Sequence, residues 1–428
     1  MSEQRQAGPV RAGIVVTGTE VLTGVIADRN GPWVSERLGE LGVEVAYCLC
    51  VADRAEDLSE ALEFLRRAGV EIVITTGGLG PTADDLTAEV VARFAGRPLR
   101  LDAEMEARLA AILEGFARRA GFDPEALAEA NRKQAMVPEG AIALDPEGTA
   151  PGLVVPAAEQ VIVVLPGPPR ELRPMWKVAI AEPPFAEALA RATPLHSHRM
   201  RLFGSPESEI ARSLREIEAE GVDLDRVEIT TCLRKGEMEI DLRWREGAEP
   251  AARAVREGLA RRHPRELYSP DGQTIDEMLG DATAGRRLAV AESCTGGGLG
   301  ARLTARAGAS EYFVGGAITY SDQAKAEQLG VDRDLIVAHG AVSPQVAEAM
   351  ARGALERFGA DTAISITGIA GPGGGSDEKP VGSVCFHVAL AEGEDTALDL
   401  VVPGGREDIR ERSVLIAMHL LRRALSGE

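Results

Sequence analysis

The sequence predicts an α/β protein in three parts: a domain with a parallel-rich sheet, a small α+β middle domain, and a second α/β domain. Three observations carry this. Short apolar runs alternate with stretches of helical periodicity over the first 170 residues and again beyond residue 270. Glycine-rich turns follow the apolar runs, as at Gly77-Gly78-Leu79-Gly80-Pro81 and from Gly368 to Gly375. The 428 residues also exceed what one core ordinarily serves, at about 150 residues per domain.

Each element has its own reason. Ile14–Val16 is a short buried strand. Asn30–Leu41 carries apolar residues at helical spacing, Trp33, Val34, Leu38 and Leu41. Val43–Cys50 is a strand, Leu58–Arg67 a helix, and Val70–Thr75 an apolar strand that runs into the first glycine turn. Alternation of this kind implies parallel strands with right-handed crossovers. From about Glu171 to Leu267 the pattern changes. A strand at His198–Phe203 and a helix at Glu207–Glu220 precede paired strands, Val227–Cys232 and Met238–Trp244, around Lys235-Gly236. A helix at Ala251–Arg262 follows. The third part has helices at Thr274–Ala284, Asp322–Leu329, Pro344–Phe358 and Arg406–Leu425, and one ending at Ala305. Its strands are Leu288–Ala291, Ala317–Tyr320, Ala363–Thr367, Gly382–Ala389 and Ala397–Val401.

Composition narrows the function. Lys and Arg total 47 against 67 Asp and Glu, a net charge of −20. That mean field repels phosphate, which argues against a nucleic-acid coat or an anionic-membrane binder. It leaves room for a local phosphate pocket built from backbone N–H groups. Apolar residues make up 45% and charged residues 27%, as in a globular chain. Met1 to Gly13 has no apolar core of a secretory signal, and no apolar run reaches the roughly 18 residues of a membrane span, so a cytoplasmic location is expected. The cysteines Cys48, Cys50, Cys232, Cys294 and Cys385 form no CxxC, and reduced thiols are expected. The six histidines include no HExxH.

The first constellation runs from Val73 to Asp85 as strand, glycine turn and helix start. Glycines admit an anion close to the backbone, and a helix N-terminus points N–H groups at it. No Gly-Lys-Ser/Thr follows, so this is not a Walker A loop. Asp84 and Asp85 admit two readings. They cap the helix that opens near Leu86, or they reach bound phosphate through a divalent cation. Glu20, just past the first strand, and Asn30, in Asp28-Arg29-Asn30, fall on the same sheet edge and raise the idea of a metal-and-phosphate site.

The second constellation, Ala289 to Gly298, again reads strand, small-residue turn, helix. Ser293 and Thr295 suit an N-cap. Ala309-Ser310, Tyr320 and Thr367 add hydroxyls. Lys325 on a helix is ordinarily a solvated surface charge. A hydroxyl-rich, histidine-free cleft needs a base, however, and a lysine deprived of water serves when its pKa falls.

The motifs are long and co-linear. In the first half they are Gly18-Thr19-Glu20, Gly24 to Asn30, Thr76 to Thr87, Asn131 to Ala135, Gly148 to Gly152 and Leu165 to Pro169. In the second half they are Glu292 to Gly297, Tyr320 to Lys325, His339 to Ser343, Thr367 to Pro372 and Lys379 to Gly382. With them the chain resembles the CinA family. The resemblance implies a molybdopterin-binding-like three-layer domain at 10–170, a KH-like α+β domain at 171–268 and a C-terminal CinA deamidase domain at 269–428.

For the first domain it implies hydrolysis of ADP-ribose to AMP and ribose 5-phosphate. A divalent ion (Mg2+, Mn2+ or Co2+) would sit on Glu20, Asp84 and Asp85, and the diphosphate on Thr76, Gly77, Gly78, Gly80 and Asn30. For the last domain it implies cofactor-free deamidation of nicotinamide mononucleotide (NMN) to nicotinic acid mononucleotide and ammonia, in pyridine nucleotide salvage. A serine attacks the amide carbon and Lys325 takes its proton. Family likeness favours Ser310, with Tyr320 and Thr367 tuning Lys325, and Ser293 is the rival. Thr295, Gly296, Gly297, Gly371, Gly373, Lys379 and Arg406 are expected at the substrate. The middle domain lacks a GxxG clamp, so a structural or dimer-forming role is expected rather than nucleic-acid binding, and a homodimer with it. The competing class is a pterin- or nucleotide-binding or competence-related interaction protein with one or both sites inactive.

Overall fold

The computed structural model describes residues 9–120, 124–234 and 236–427. The chain forms two compact units. The first holds the chain up to His196 and a return segment, Arg243–Glu249; the second holds Ser197–Leu242 and the chain from Pro250 onward.

The first unit opens with β1 (Arg11–Thr17), α1 (Thr19–Leu22), α2 (Asn30–Glu40), β2 (Glu44–Val51), α3 (Ala55–Arg67) and β3 (Ile72–Thr76). It continues through α4 (Thr87–Phe94), β4 (Leu99–Leu101), α5 (Ala103–Ala120), α6 (Pro124–Gln134), β5 (Met136–Pro138) and β6 (Ile142–Leu144). It closes with β7 (Gly152–Ala157), β8 (Gln160–Leu165), α7 (Pro169–Ala179) and α8 (Pro183–Leu189). Its main sheet has the order β2-β1-β3-β8-β7-β6. The first four strands are parallel, and β7 runs against both β8 and β6. Three layers follow from side-chain alternation along buried strands. Ile14 and Val16 of β1 pack with Val34 and Leu38 of α2 and Trp176 of α7. Val15, between them, packs with Leu62 and Leu65 of α3 and Val90 of α4 on the other face.

The expected boundary at 170/171 falls inside this unit. Trp176 stands edge-on to Phe185 at 5.6 Å, and both belong to the core beneath β1. Helices α7 and α8 therefore complete the first core rather than begin the middle domain.

The second unit starts with β9 (Leu195–Phe203), α9 (Glu207–Ala219), β10 (Val227–Arg234), β11 (Glu237–Arg245), α10 (Glu249–Arg262) and β12 (Leu267–Ser269), with sheet order β10-β11-β9-β12. Lys235, named in the expected turn, lies outside the described residues. Then come α11 (Ile275–Ala282), β13 (Leu288–Glu292), α12 (Gly298–Thr304), β14 (Phe313–Ile318), α13 (Asp322–Leu329), α14 (Arg333–His339) and α15 (Pro344–Phe358). The chain ends with β15 (Thr362–Gly368), β16 (Ser383–Leu390), β17 (Thr396–Val401) and α16 (Arg406–Ser426).

The five-stranded sheet has the order β14-β13-β15-β16-β17. Its first three strands are parallel and its last two pairings antiparallel. Alternation again makes two faces. Leu288 and Val290 pack with α11, α12 and α16, and Ala289 and Ala291 with α13 to α15. Strand β14 lies several residues earlier than expected, because Gly315-Gly316 conceals it. A Cβ at Gly316 would fall on Val290 of β13, so this strand needs the very residue that breaks the apolar pattern. Among the described residues no helix is long and apolar enough to cross a membrane.

Candidate active site

The three parallel strands of the second unit deliver their C-terminal ends to one edge. Ser293 follows β13, and its N–H is held by the Ile366 carbonyl of β15 at 2.9 Å. Lys325 enters from α13, which Ser321 opens by accepting the Ala324 N–H at 3.1 Å. The Lys325 Nζ lies 3.2 Å from Ser293 Oγ and donates to the Thr319 carbonyl at 2.9 Å. Lys325 is 1% exposed and Ser293 7%. Burial takes the amine below the ordinary lysine range, against the opposing pull of Asp322. A neutral amine has one lone pair. With an N–H anchored on Thr319, that pair is available to the Ser293 proton. Burial pushes the neighbouring Cys294 thiol up to about 11, so it stays protonated and Ser293 has no thiolate competitor beside it.

The other expected residues make contacts of their own. Thr367, at the end of β15, donates to the Ala341 carbonyl at 2.8 Å. Tyr320 is exposed, and its oxygen accepts from Arg406 at 2.8 Å, while the same guanidinium donates to the Gly371 carbonyl at 2.7 Å. Lys379 spends its amine on the His339 and Val342 carbonyls, at 2.8 and 2.7 Å, and so braces a loop. Gly373 is in the open part of that glycine-rich loop. The Thr295 hydroxyl is buried without a hydrogen-bond partner among the described residues. Gly296 and Gly297 take left-handed backbone, φ +60° and +95°, and Gly297 is the N-cap of α12.

Ser310 is the correction. It stands exposed on a single helical turn, Ala309–Glu311, just before β14. That is the N-terminal end of the parallel strands, since the Leu288 N–H donates to the Tyr312 carbonyl there. Five strand residues at about 3.3 Å each separate this end from the Ser293 edge. The structure joins Lys325 to Ser293 instead.

In the first unit, Asn30 opens α2 and donates from Nδ2 to Thr76 Oγ1 at 2.8 Å and to the Gly167 carbonyl at 2.6 Å. Its Oδ1 is buried without a hydrogen-bond partner among the described residues. Thr76 in turn donates to the Pro166 carbonyl at 3.0 Å. Gly77 and Gly78 have φ of +104° and +63°. A Cβ on either would fall on Thr17 or on the Thr87 hydroxyl, so close packing of the turn already demands glycine here. A Cβ on Gly80 would meet the Asp85 carboxylate.

Asp85 Oδ2 accepts from the Thr82 N–H and hydroxyl, at 2.9 and 2.5 Å. Hydrogen bonding at Thr82 and at its own backbone holds the exposed Asp84 carboxyl below its usual range. Glu20 is exposed on α1. Among the described residues no three carboxylate, histidine or cysteine side chains are placed to hold a metal ion. Glu20, Asp84 and Asp85 are hard oxygen donors. A divalent ion here would rest on one or two of them together with substrate phosphates, the usual pattern for Mg2+. A cavity of about 190 Å³ adjoins the turn, lined by Gly78, Leu79, Gly80, Asp85, Lys133 and Gln134 among others.

A curated CinA-like protein from Mycolicibacterium vanbaalenii is 57% identical over 419 residues, 97% of this chain and 99% of the relative. The chain belongs to the CinA family. A second CinA-like protein, from Mycobacterium tuberculosis, is 54% identical over 425 residues, covering 97% of this chain and 98% of its own. The family model of the CinA C-terminal domain matches residues 273–425, and that described as "Probable molybdopterin binding domain" matches 13–187. A crystal structure of a CinA superfamily protein from Klebsiella pneumoniae is 36% identical and covers 36% of this chain and all of its own, with a TM-score of 0.35. A counterpart from Escherichia coli is also 36% identical and covers 35% and 88%, with a TM-score of 0.33.

Three residues of this CinA chain take parts that sequence reasoning did not assign. Glu292, beside Ser293, is buried and accepts from the Gly297, Leu299 and Gly300 N–H groups at 2.8 to 3.1 Å, which closes the start of α12. Thr319 holds Lys325 through a main-chain oxygen, which no side-chain pattern reveals. Arg410 donates to the Thr295 carbonyl at 2.9 Å. Its four-residue spacing from Arg406 on one helix was the available signal.

Proposed function

We propose that the second unit is a serine/lysine amidohydrolase, and that its substrate is NMN, as the CinA resemblance implies. The observation that carries this is the buried Nζ of Lys325 at 3.2 Å from Ser293 Oγ. Neutral Lys325 takes the Ser293 proton as Oγ bonds to the amide carbon. The resulting ammonium then gives that proton to the departing nitrogen, the C–N bond breaks, and ammonia leaves an ester on Ser293. Water, deprotonated by the same amine, cleaves the ester to the carboxylic acid. No cofactor enters these steps.

The test is ammonia release from NMN, with mass spectrometry reading the one-dalton change from amide to acid. Ser293→Ala is expected to lower turnover by about 10³-fold or more, and Ser310→Ala by less than about threefold. Loss of activity in Ser310→Ala with retention in Ser293→Ala would refute the assignment.

For the first unit we propose a nucleotide diphosphate site at the ends of β1 and β3, with ADP-ribose as the substrate that the resemblance implies. The buried, unpaired Oδ1 of Asn30 at that edge supports an outside donor there, such as a ribose hydroxyl. A divalent ion, when bound, supplies polarisation of a phosphoryl oxygen. The chain's own part is to cradle the diphosphate at Thr76 to Gly80. AMP release that stops on chelation, while ammonia release continues, is the expected pattern.

A further inference from the structure

Helix α16 is a single rod with a polar task at each end. At its start, Arg406 bridges the Gly371 carbonyl and the Tyr320 hydroxyl, and one turn later Arg410 holds the Thr295 carbonyl, two residues beyond Ser293. Towards its end, His419 is 2% exposed and reaches the four-stranded sheet. Its ring stacks on Phe203 of β9 at 3.8 Å and 10°, and stands edge-on to Tyr268 of β12 at 4.6 Å. The Nε2 lies 2.9 Å from Oε1 of Glu237, on β11, and the Tyr268 hydroxyl donates to that same oxygen at 2.6 Å.

The rod between the two ends is locked. Ile409, Leu415, Ala417, Met418 and Leu421 are buried in the core that also holds Cys294 and Ala370. His419 lies nine positions beyond Arg410, about 14 Å of helix. A helix packed along its length does not bend to absorb a local change. It shifts as a body.

Burial keeps the His419 pKa below the ordinary imidazole range, despite Glu237. A neutral ring with its proton on Nε2 then has one N–H to give, and Glu237 takes it. The opposite nitrogen, Nδ1, is buried without a hydrogen-bond partner among the described residues. Among the described residues, Glu237 is therefore the one hydrogen-bond anchor of the ring.

We propose that Glu237, Tyr268 and His419 are positioning residues for the Ser293–Lys325 site: they set the seat of helix α16, and its two arginines carry that seat to the turn after the nucleophile and to the glycine-rich loop. The four-stranded sheet thereby acts as a clamp on the amidase half of its own unit. The consequence for catalysis rests on the amidase reading above, but the mechanical link does not.

The experiment uses the full chain with Glu237→Ala, Tyr268→Phe and His419→Gln, the last offering an amide N–H in place of Nε2. Hydrogen exchange of the 294–300 and 369–374 segments reads the link without any substrate. Glu237→Ala, which removes the shared acceptor, is expected to speed exchange of both segments by about tenfold, Tyr268→Phe by about threefold, and His419→Gln to stay within twofold of the parent. With NMN, the same order of losses is expected in kcat, with KM within twofold, at a temperature where circular dichroism reports full folding. Unchanged exchange in Glu237→Ala and Tyr268→Phe would overturn the proposal, as would faster exchange spread evenly over the unit. Absence of ammonia release from the parent chain would refute the amidase reading and leave the exchange result to decide the clamp.

Discussion

An amine with 1% of its surface exposed costs folding free energy while it keeps its proton. The sign follows from linkage. The unfolded chain binds a proton at Lys325 up to the ordinary 10.5, and the folded chain releases it earlier, so folding expels a proton and stability rises with pH across that interval. Lys325→Met removes the penalty. It is expected to raise stability at pH 7 by about 1 kcal/mol or more, as when a buried charge yields to an apolar side chain, and to abolish deamidation. The gain should shrink towards pH 10, and urea unfolding at both pH values checks it; a variant less stable at pH 7 contradicts the account. The parent's kcat/KM should fall about tenfold per unit as pH drops below the lowered pKa of this amine.

Lys325 was legible in the sequence as a candidate base for a histidine-free cleft. Its partner was not. Ser293 and Ser310 both precede it on turns, and only the direction of β13 and β14 tells which end of the sheet each serine occupies.

Among the elements, α12 shows how local geometry fixes the turn after Ser293. The helix has seven residues, too few to stand alone, and glycine at its N-cap offers no side-chain oxygen. Glu292 supplies what the cap lacks by accepting three N–H groups from the strand side. Glu292→Ala would leave those donors without their acceptor, that of Leu299 buried and the other two half-buried. It should cost about 2–4 kcal/mol, judged from charge-assisted hydrogen bonds, with chemical denaturation as the measurement. Glu292→Gln, which keeps acceptor capacity, should lose less than half of that. Most strands and long helices could be read from alternation and helical spacing. Between the helix start near Leu86 and Glu171 no element was named from the sequence, although β4 to β8, α5 and α6 lie there; β14 was misplaced for a reason of its own, its glycine pair. The short α14 escaped too, being seven residues opened by Asp332 and packed through Ile336.

Across the whole molecule the two units have separate cores, and separate cores unfold separately. Calorimetry is expected to show two transitions, with Lys325→Met raising one and leaving the other within about 1 °C. A single transition that shifts as one would contradict this division. The sequence placed the first boundary at 170/171, where the motif Leu165 to Pro169 ends. It misjudged the boundary because α7 and α8 have ordinary amphipathic composition, and nothing in their residues says which sheet receives Trp176 and Phe185.

The path of the chain has one more outcome. Arg243–Glu249 returns to the first unit after the second has begun, so the backbone passes from one to the other at three places. A fragment cut after His196 is missing seven residues of its own body. Its partner fragment carries those seven residues, from the end of β11 to the first residue of α10, with Trp244 and Ala248, both buried in the intact protein, among them. Anyone wishing to study either half alone must account for that segment as well as sever the chain.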